Sequence, residues 1–290
     1  MNKPVITQAV INLYDEYTHQ PLQRRDFIKR LAVLVGSSAA AYAVLPLLEN
    51  NYANAAISEP DDKRLKTQMI EIETESGILK AYLAQPIKQK KKVGSVLIIH
   101  ENRGLNAHTQ DIARRVALAG FNALALDFLS PLGGTPSNED EARALFAKLD
   151  PAQSIANGQS ALQYLNKLPN SNGKLGVIGF CWGGGMAGQL AVHTPDLDAA
   201  ISFYGMAPDL TLVPKIKAFV MLHYASEDER INAGRAAYES ALSKDKIAFE
   251  SYTYEGVQHA FNNDTNAARY NKPAADLAWQ RSMDLFKRLL

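Results

Sequence analysis

Between residues 69 and 84, apolar and polar residues alternate on either side of Ser76-Gly77. A period of two predicts an antiparallel hairpin with one covered face. Beyond it the alternation stops. Residues 95–99, 122–126, 175–180, 199–204, 218–224 and 248–254 are runs dominated by apolar side chains. Strands read this way when helices cover both of their faces. The stretches between them predict helices at 109–119, 139–147, 152–167, 184–193, 233–243 and 274–289. Repeated alternation of this kind predicts an α/β fold, a mostly parallel central sheet with helices on both faces and the hairpin at its edge. In such sheets ligands bind beyond the carboxyl ends of the strands.

The first 55 residues follow a different pattern. Gln23-Arg24-Arg25-Asp26-Phe27-Ile28-Lys29 sets paired arginines ahead of an apolar stretch at 31–48, and Ala53-Asn54-Ala55 follows. A basic start, an apolar middle and small residues at the end make a three-part export signal. The pattern resembles a twin-arginine signal. It implies Arg24 and Arg25 as the recognition pair, the twin-arginine translocase as transient partner, cleavage after Ala55 and a periplasmic destination. The alternative is a membrane anchor that is not cleaved, although Gly36, Ser37, Ser38 and Pro46 weaken a span. The division expected is a signal peptide at 1–55 and one catalytic domain at 56–290.

Composition narrows the chemistry. The chain has 290 residues, 47% of them hydrophobic, and 31 Lys+Arg against 30 Asp+Glu. That hydrophobicity excludes a disordered chain, and a net charge of +1 gives no case for nucleic acid. A single cysteine excludes an intramolecular disulfide framework and any multi-cysteine metal site. Cys181 is therefore either an inert core residue or a chemical one.

The run 175–180 leads into Cys181-Trp182-Gly183-Gly184-Gly185. Residues 179–183 read Gly-x-Cys-x-Gly, a nucleophile elbow with cysteine in place of serine. The turn needs small neighbours on both sides of the nucleophile, which Gly179 and Gly183 supply. It also sets Cys181 at a helix N-terminus, where the dipole favours a thiolate. Elbow folds run in the order nucleophile, acid, histidine. Asp228 follows the strand at 218–224, with Glu227 and Glu229 as competitors, and His259 follows the strand at 248–254. His19 lies in the leader, His100 precedes the nucleophile, and His108, His193 and His223 fall on or near helices or inside a strand. The backbone N–H groups of Trp182 and Asn102 are placed to hold a developing oxyanion. Glu101 falls close to the nucleophile and is a candidate to take or hold its proton. Arg103 pairs with Glu101 or meets a substrate anion.

Together, Gly179-Phe180-Cys181-Trp182-Gly183-Gly184, Glu101, Asp228 and His259-Ala260-Phe261 resemble the dienelactone hydrolase family, a cysteine-using branch of the α/β-hydrolases. The resemblance covers roughly residues 66–290. It implies an α/β-hydrolase fold, a Cys181–His259–Asp228 triad, Glu101 on the thiol, and hydrolysis of a small-molecule ester or lactone through a thioacyl-enzyme. It implies neither cofactor nor metal. Two substrate-binding arginines of the family's namesakes are missing, one within Asp127-Phe128-Leu129-Ser130-Pro131 and one at Asn263. Two rival readings are a dinucleotide-binding oxidoreductase built on Gly183–Gly188, which matches Gly-x-Gly-x-x-Gly, and a non-catalytic binding protein on the same fold.

Overall fold

The computed structural model describes residues 6–52, 57–75 and 77–290. The expected turn residue Ser76 and the expected cleavage segment Ala53-Asn54-Ala55 lie outside the described residues. Eight strands form one sheet in the order β1-β2-β4-β3-β5-β6-β7-β8. They are β1 (Leu65–Thr74), β2 (Gly77–Pro86), β3 (Val93–Ile99), β4 (Asn122–Leu126), β5 (Ser171–Phe180), β6 (Ala199–Phe203), β7 (Phe219–Ala225) and β8 (Phe249–Tyr254). The β1–β2 hairpin is antiparallel and joins β4 antiparallel at the sheet edge, whereas β3 to β8 run parallel.

Successive residues of each buried strand serve opposite layers, as a period of two requires. Ile98, Ile178 and Ile201 pack with Ile112, Val116 and Phe286 on one side. Leu97, Val177 and Ala200 pack with Leu162 and Leu190 on the other. The covering helices are α4 (Ala107–Leu118), α5 (Glu139–Phe146), α6 (Pro151–Asn166), α7 (Trp182–His193), α8 (Glu229–Asn232), α9 (Arg235–Lys244) and α10 (Lys272–Leu289). Several begin at side-chain caps. The Asn106, Asp150 and Asn271 side chains accept from Thr109, Gln153 and Ala274 N–H respectively.

The N-terminal segment is folded. It forms α1 (Gln8–His19), α2 (Arg24–Val35) and α3 (Ser38–Leu48). Val10, Leu13, Tyr14 and Tyr17 recur at helical spacing on α1 and meet Phe27, Leu31, Val44 and Leu48 in a separate hydrophobic cluster. Gly36 ends α2 in the left-handed region, at φ 89°, and the chain turns by 109° into α3. Among the described residues no single helix is long and apolar enough to cross a membrane, although this bent pair would be by length and composition. Polar contacts tie the segment to the rest of the chain. Asn102 Nδ2 donates to Thr18 O at 2.7 Å, Asn51 N–H to Thr265 O at 2.8 Å, and Asn266 Nδ2 to Leu48 O at 2.5 Å. Arg24 bridges Glu49 and Asp140 at 2.8 and 3.0 Å.

Candidate active site

Cys181 sits between β5 and α7 with φ 56° and ψ −114°, strained backbone for a residue with a side chain. The surroundings hold it there. Its N–H donates to Phe203 O at 3.0 Å, and its own carbonyl accepts from Gly184 and Gly185 N–H. A Cβ on Gly179 would stand 1.9 Å from Gly183 O, and one on Gly183 would stand 2.4 Å from Ile99 O. Backbone crowding at the elbow thus accounts for the first glycines of Gly183–Gly188, so the glycine pattern does not favour a dinucleotide site. Tyr204 and Ala260, with φ 40° and 65°, are further non-glycine residues in the left-handed region. Both border the site: the Tyr204 ring lies tilted against the His259 ring with centroids 4.9 Å apart, and Ala260 lines the small cavity at the thiol.

Asp228 and His259 come together from the ends of β7 and β8. His259 Nδ1 is 2.5 Å from Asp228 Oδ2, with both side chains buried. That contact fixes the Nδ1–H tautomer and aims Nε2 inward. Among the described residues Nε2 has no hydrogen-bond partner, and it lies with the thiol in a cluster whose atoms are all within 4.8 Å of one another. Burial works against the imidazolium, but Asp228 and the Cys181 sulfur beside it raise the His259 pKa to about 10. Burial likewise works against the thiolate, yet His19 and His259 bring the Cys181 thiol down to about 6. Both shifts run toward a thiolate beside an imidazolium.

Trp182 and Asn102, the residues expected to hold an oxyanion, start α7 and lie on the loop after β3. Trp182 N–H opens α7, where no intrahelical acceptor exists. The Trp182 ring is fixed by stacking on His100 at 5.9 Å and by edge contacts with Phe128 and Phe146. Asn102 lies on the loop after β3, its side chain spent on Thr18 O. Glu101 lines the small cavity at the thiol, as expected, and its carboxylate accepts from Tyr204 Oη at 3.3 Å and from Asn263 Nδ2 at 2.9 Å. The hydrogen-bond partner at the sulfur is instead His19 Nε2, at 3.1 Å. Arg103 pairs with Glu139 at 3.2 Å and with Asn102, its side chain 5% exposed. Its ion-pair partner is thus Glu139 and not Glu101, and it also lines the small cavity at the thiol. Asn263, where the family's namesakes carry an arginine, serves Glu101.

His100 and His223 behave as structural residues. His100 Nδ1–H donates to Glu101 O at 2.7 Å while Nε2 accepts from Phe128 N–H, and burial lowers its pKa. His223 lies between Tyr254 Oη and Ser282 Oγ, and burial lowers it to about 3.

The site contains two residues of the N-terminal segment, His19, which the sequence placed in the leader, and Asp15, which it did not single out. Their signal was present: an Asp and a His at i and i+4 on an amphipathic helix share a face, and the apolar residues 10, 13, 14 and 17 mark that helix. Cys181, His19 and His259 also form a Cys-His-His donor set with ligating atoms within 4.8 Å, one a thiophilic divalent cation could use. A cavity of about 1100 Å³ opens onto Cys181. Trp182, Met186, Ile155, Phe146 and Ile231 form apolar parts of its wall, and residues 18–23 form another part.

The dienelactone hydrolase family model matches residues 79–290. A Saccharolobus solfataricus protein named as a carboxymethylenebutenolidase is 32% identical over 257 residues, covering 75% of this chain and 96% of its own length. A Synechocystis protein of the same name is 30% identical over 244 residues, covering 77% and 97%. A solved structure described as a dienelactone hydrolase of Klebsiella pneumoniae superimposes with a TM-score of 0.70 at 25% identity, over 77% of this chain and 98% of that one. The family match leaves residues 1–78, and with them Asp15 and His19, outside it. With an elbow cysteine on a parallel sheet and a match over most of its length, this chain belongs to the dienelactone hydrolase family of α/β-hydrolases.

Proposed function

We propose that the chain hydrolyses an ester or lactone with Cys181 as nucleophile, His259 as acid and base, and Asp228 as the carboxylate that orients it. The observation that carries this reading is the elbow cysteine beside a buried, Asp228-held imidazole. The Cys181 thiolate attacks the carbonyl carbon, forming the C–S bond, and the carbonyl electrons move onto oxygen. Trp182 and Asn102 N–H groups are the donors for that oxyanion. Collapse breaks the bond to the leaving oxygen, which takes a proton from His259. Neutral His259 then removes a proton from water, which attacks the thioester and releases the acid and the thiolate. The apolar walls around Trp182, Met186 and Ile155 suit a substrate with an apolar acyl or ring portion.

The test is hydrolysis of short acyl esters and lactones by the full chain and by Cys181→Ala and His259→Ala. Each variant is expected to lose at least roughly a thousandfold in kcat, and wild-type mass spectra under turnover should carry an acyl adduct on Cys181. Wild-type turnover by both variants would sink the triad.

For residues 1–55 the twin-arginine pattern at Arg24-Arg25 supports delivery to the periplasm by the route that carries folded proteins. The packing of residues 6–52 on the catalytic domain supports a segment that stays with the chain. Cell fractionation of wild type and of Arg24→Lys with Arg25→Lys tests the route. Unchanged distribution of the double variant would remove it.

A further inference from the structure

Two Asp–His pairs converge on one sulfur. The first is Asp228–His259. The second comes from α1, whose last residue is His19. Its Nδ1 is 2.9 Å from the backbone oxygen of Asp15 and 3.1 Å from Asp15 Oδ1, so Nδ1 carries a proton and Nε2 faces Sγ at 3.1 Å. The His19 and His259 rings meet edge-on with centroids 4.8 Å apart. Asp15 is in turn 3.5 Å from the Arg230 guanidinium. A helix C-terminus favours a cation on its last residue, so the position of His19 on α1 suits an imidazolium. The backbone of the residue before it is fixed from the catalytic domain, where Asn102 Nδ2 binds Thr18 O.

We propose that His19, oriented by Asp15, is a catalytic residue of the hydrolytic site proposed above: its Nε2–H holds the Cys181 sulfur as a thiolate, and the N-terminal helices are a working part of the enzyme. The proton balance is simple. The S–H bond breaks and the proton goes to His259 Nε2. His19 donates a hydrogen bond to the resulting anion without giving up its proton. When sulfur attacks the carbonyl its charge passes into the C–S bond, and the His19 contact weakens while His259 serves the leaving group. The thiol is thereby kept ionised before substrate arrives, the task that the family resemblance assigned to Glu101. Glu101 is occupied by Tyr204 and Asn263 instead. Residues 18–23 of the same segment wall the cavity above the sulfur, so the helices that deliver His19 also shape what reaches it. Loss of residues 1–55 would remove both.

The ionisation of Cys181 is directly readable because it is the only cysteine in the chain. Iodoacetamide alkylation of the full-length protein, measured against pH, gives its profile. Besides His19, the groups that can move that profile are His259, Asp228, Asp15, Arg230, Glu101, Arg103, Tyr204 and Arg269, all at or next to this site. In wild type, reactivity is expected to rise through about pH 6. In His19→Gln the midpoint should move up by about one unit or more, with kcat/KM on an ester falling about tenfold or more below that midpoint. Asp15→Asn should move the midpoint the same way by less, since it leaves the imidazole in place.

An unchanged alkylation profile and unchanged kcat/KM in His19→Gln would overturn the inference, as would a rise in turnover, which would make His19 a block. If the variants do not fold, wild type still decides. His19 imidazole resonances, followed by NMR against pH, should shift their titration when Cys181 is alkylated, and resonances indifferent to alkylation would overturn it. The two proposals fail separately. Loss of turnover in Cys181→Ala with an unmoved profile in His19→Gln removes only His19. Full turnover in Cys181→Ala removes the thiol mechanism, while the alkylation profile still reports the contact.

Discussion

The difference between hydrogen and methyl at residue 179 decides whether the elbow can close. Gly183 O would sit 1.9 Å from a Cβ there, and the clashing atom is backbone, which cannot swing aside as a side chain would. Gly179→Ala is therefore expected to destabilise the protein by about 1–3 kcal/mol and to displace Cys181 from its place beside His259. Urea unfolding and esterase kinetics on the same preparation check both. Wild-type values in the two assays would mean the elbow relaxes more freely than its contacts imply. The elbow was legible in the sequence because its constraint is local: the glycines, the cysteine and the preceding strand lie within a few residues. The positions of Trp182 at the start of α7 and of His259 after β8 were legible by order along the chain. His19 was not, because 162 residues separate it from the sulfur it meets, and no local pattern states which helix end docks at which strand end. The partner of Arg103 was hidden for a related reason. Glu139 is 36 residues away, and an arginine near a site reads the same whether it faces a ligand or a carboxylate.

Among the elements, those buried on both faces were the clearest in the sequence, since continuous apolar runs have few other readings. Strand β5 shows where that signal fades. It begins at Ser171 and not at residue 175, because the polar stretch 171–174 still extends alongside β3 through an irregular register between Val93 and Ser95. Strand β6 stops at Phe203, since Tyr204 turns into the left-handed region at φ 40°. The N-terminal helices illustrate a competing signal. The apolar stretch 31–48 reads as one hydrophobic core, but Gly36 divides it into two helices that bury different residues on a shared cluster. Phe27 is the test of that cluster, fully buried and stacked on Tyr17 at 4.3 Å, with Tyr17 Oη on Asp140. Phe27→Ala is expected to cost about 3–5 kcal/mol locally. Amide hydrogen exchange should show α1 to α3 losing protection while β3 to β7 keep theirs, with esterase activity falling as α1 loosens. Uniform loss across the sheet would mean that the N-terminal helices and the sheet unfold as one unit, and unchanged activity would detach α1 from the chemistry.

At the scale of the whole molecule, the thiolate–imidazolium pair makes stability a function of pH on two sides. Cys181 has its folded pKa lowered to about 6 from 9.0, so its contribution is complete above about pH 9 and is lost as pH falls through about 6. His259 is raised to about 10 from 6.5, so its contribution is complete below about 6.5 and is lost as pH rises through about 10. Between about 6.5 and 9 the folded pair and the unfolded pair bind the same number of protons, and their joint contribution is level. On the acid side other groups add to the loss. His223 and His100 are buried neutral with lowered pKa values, so below about 6.5 the unfolded chain takes up protons that the folded one refuses. Asp228 and Asp15, both lowered, follow at still lower pH as their carboxylates are forced to protonate. His19 is raised as well, so its contribution is complete below about 6.5 and is lost as pH rises above that. The expected curve of Tm against pH has its maximum near 6.5, a shallow decline above it that deepens past about 9, and a steeper decline below it. Cys181→Ala isolates the pair: His259 then loses the sulfur that helps raise it, and the alkaline decline should begin at lower pH. A wild-type Tm that climbs steadily past pH 9, or an alkaline limb identical in Cys181→Ala, would show that the resting site does not hold the ion pair.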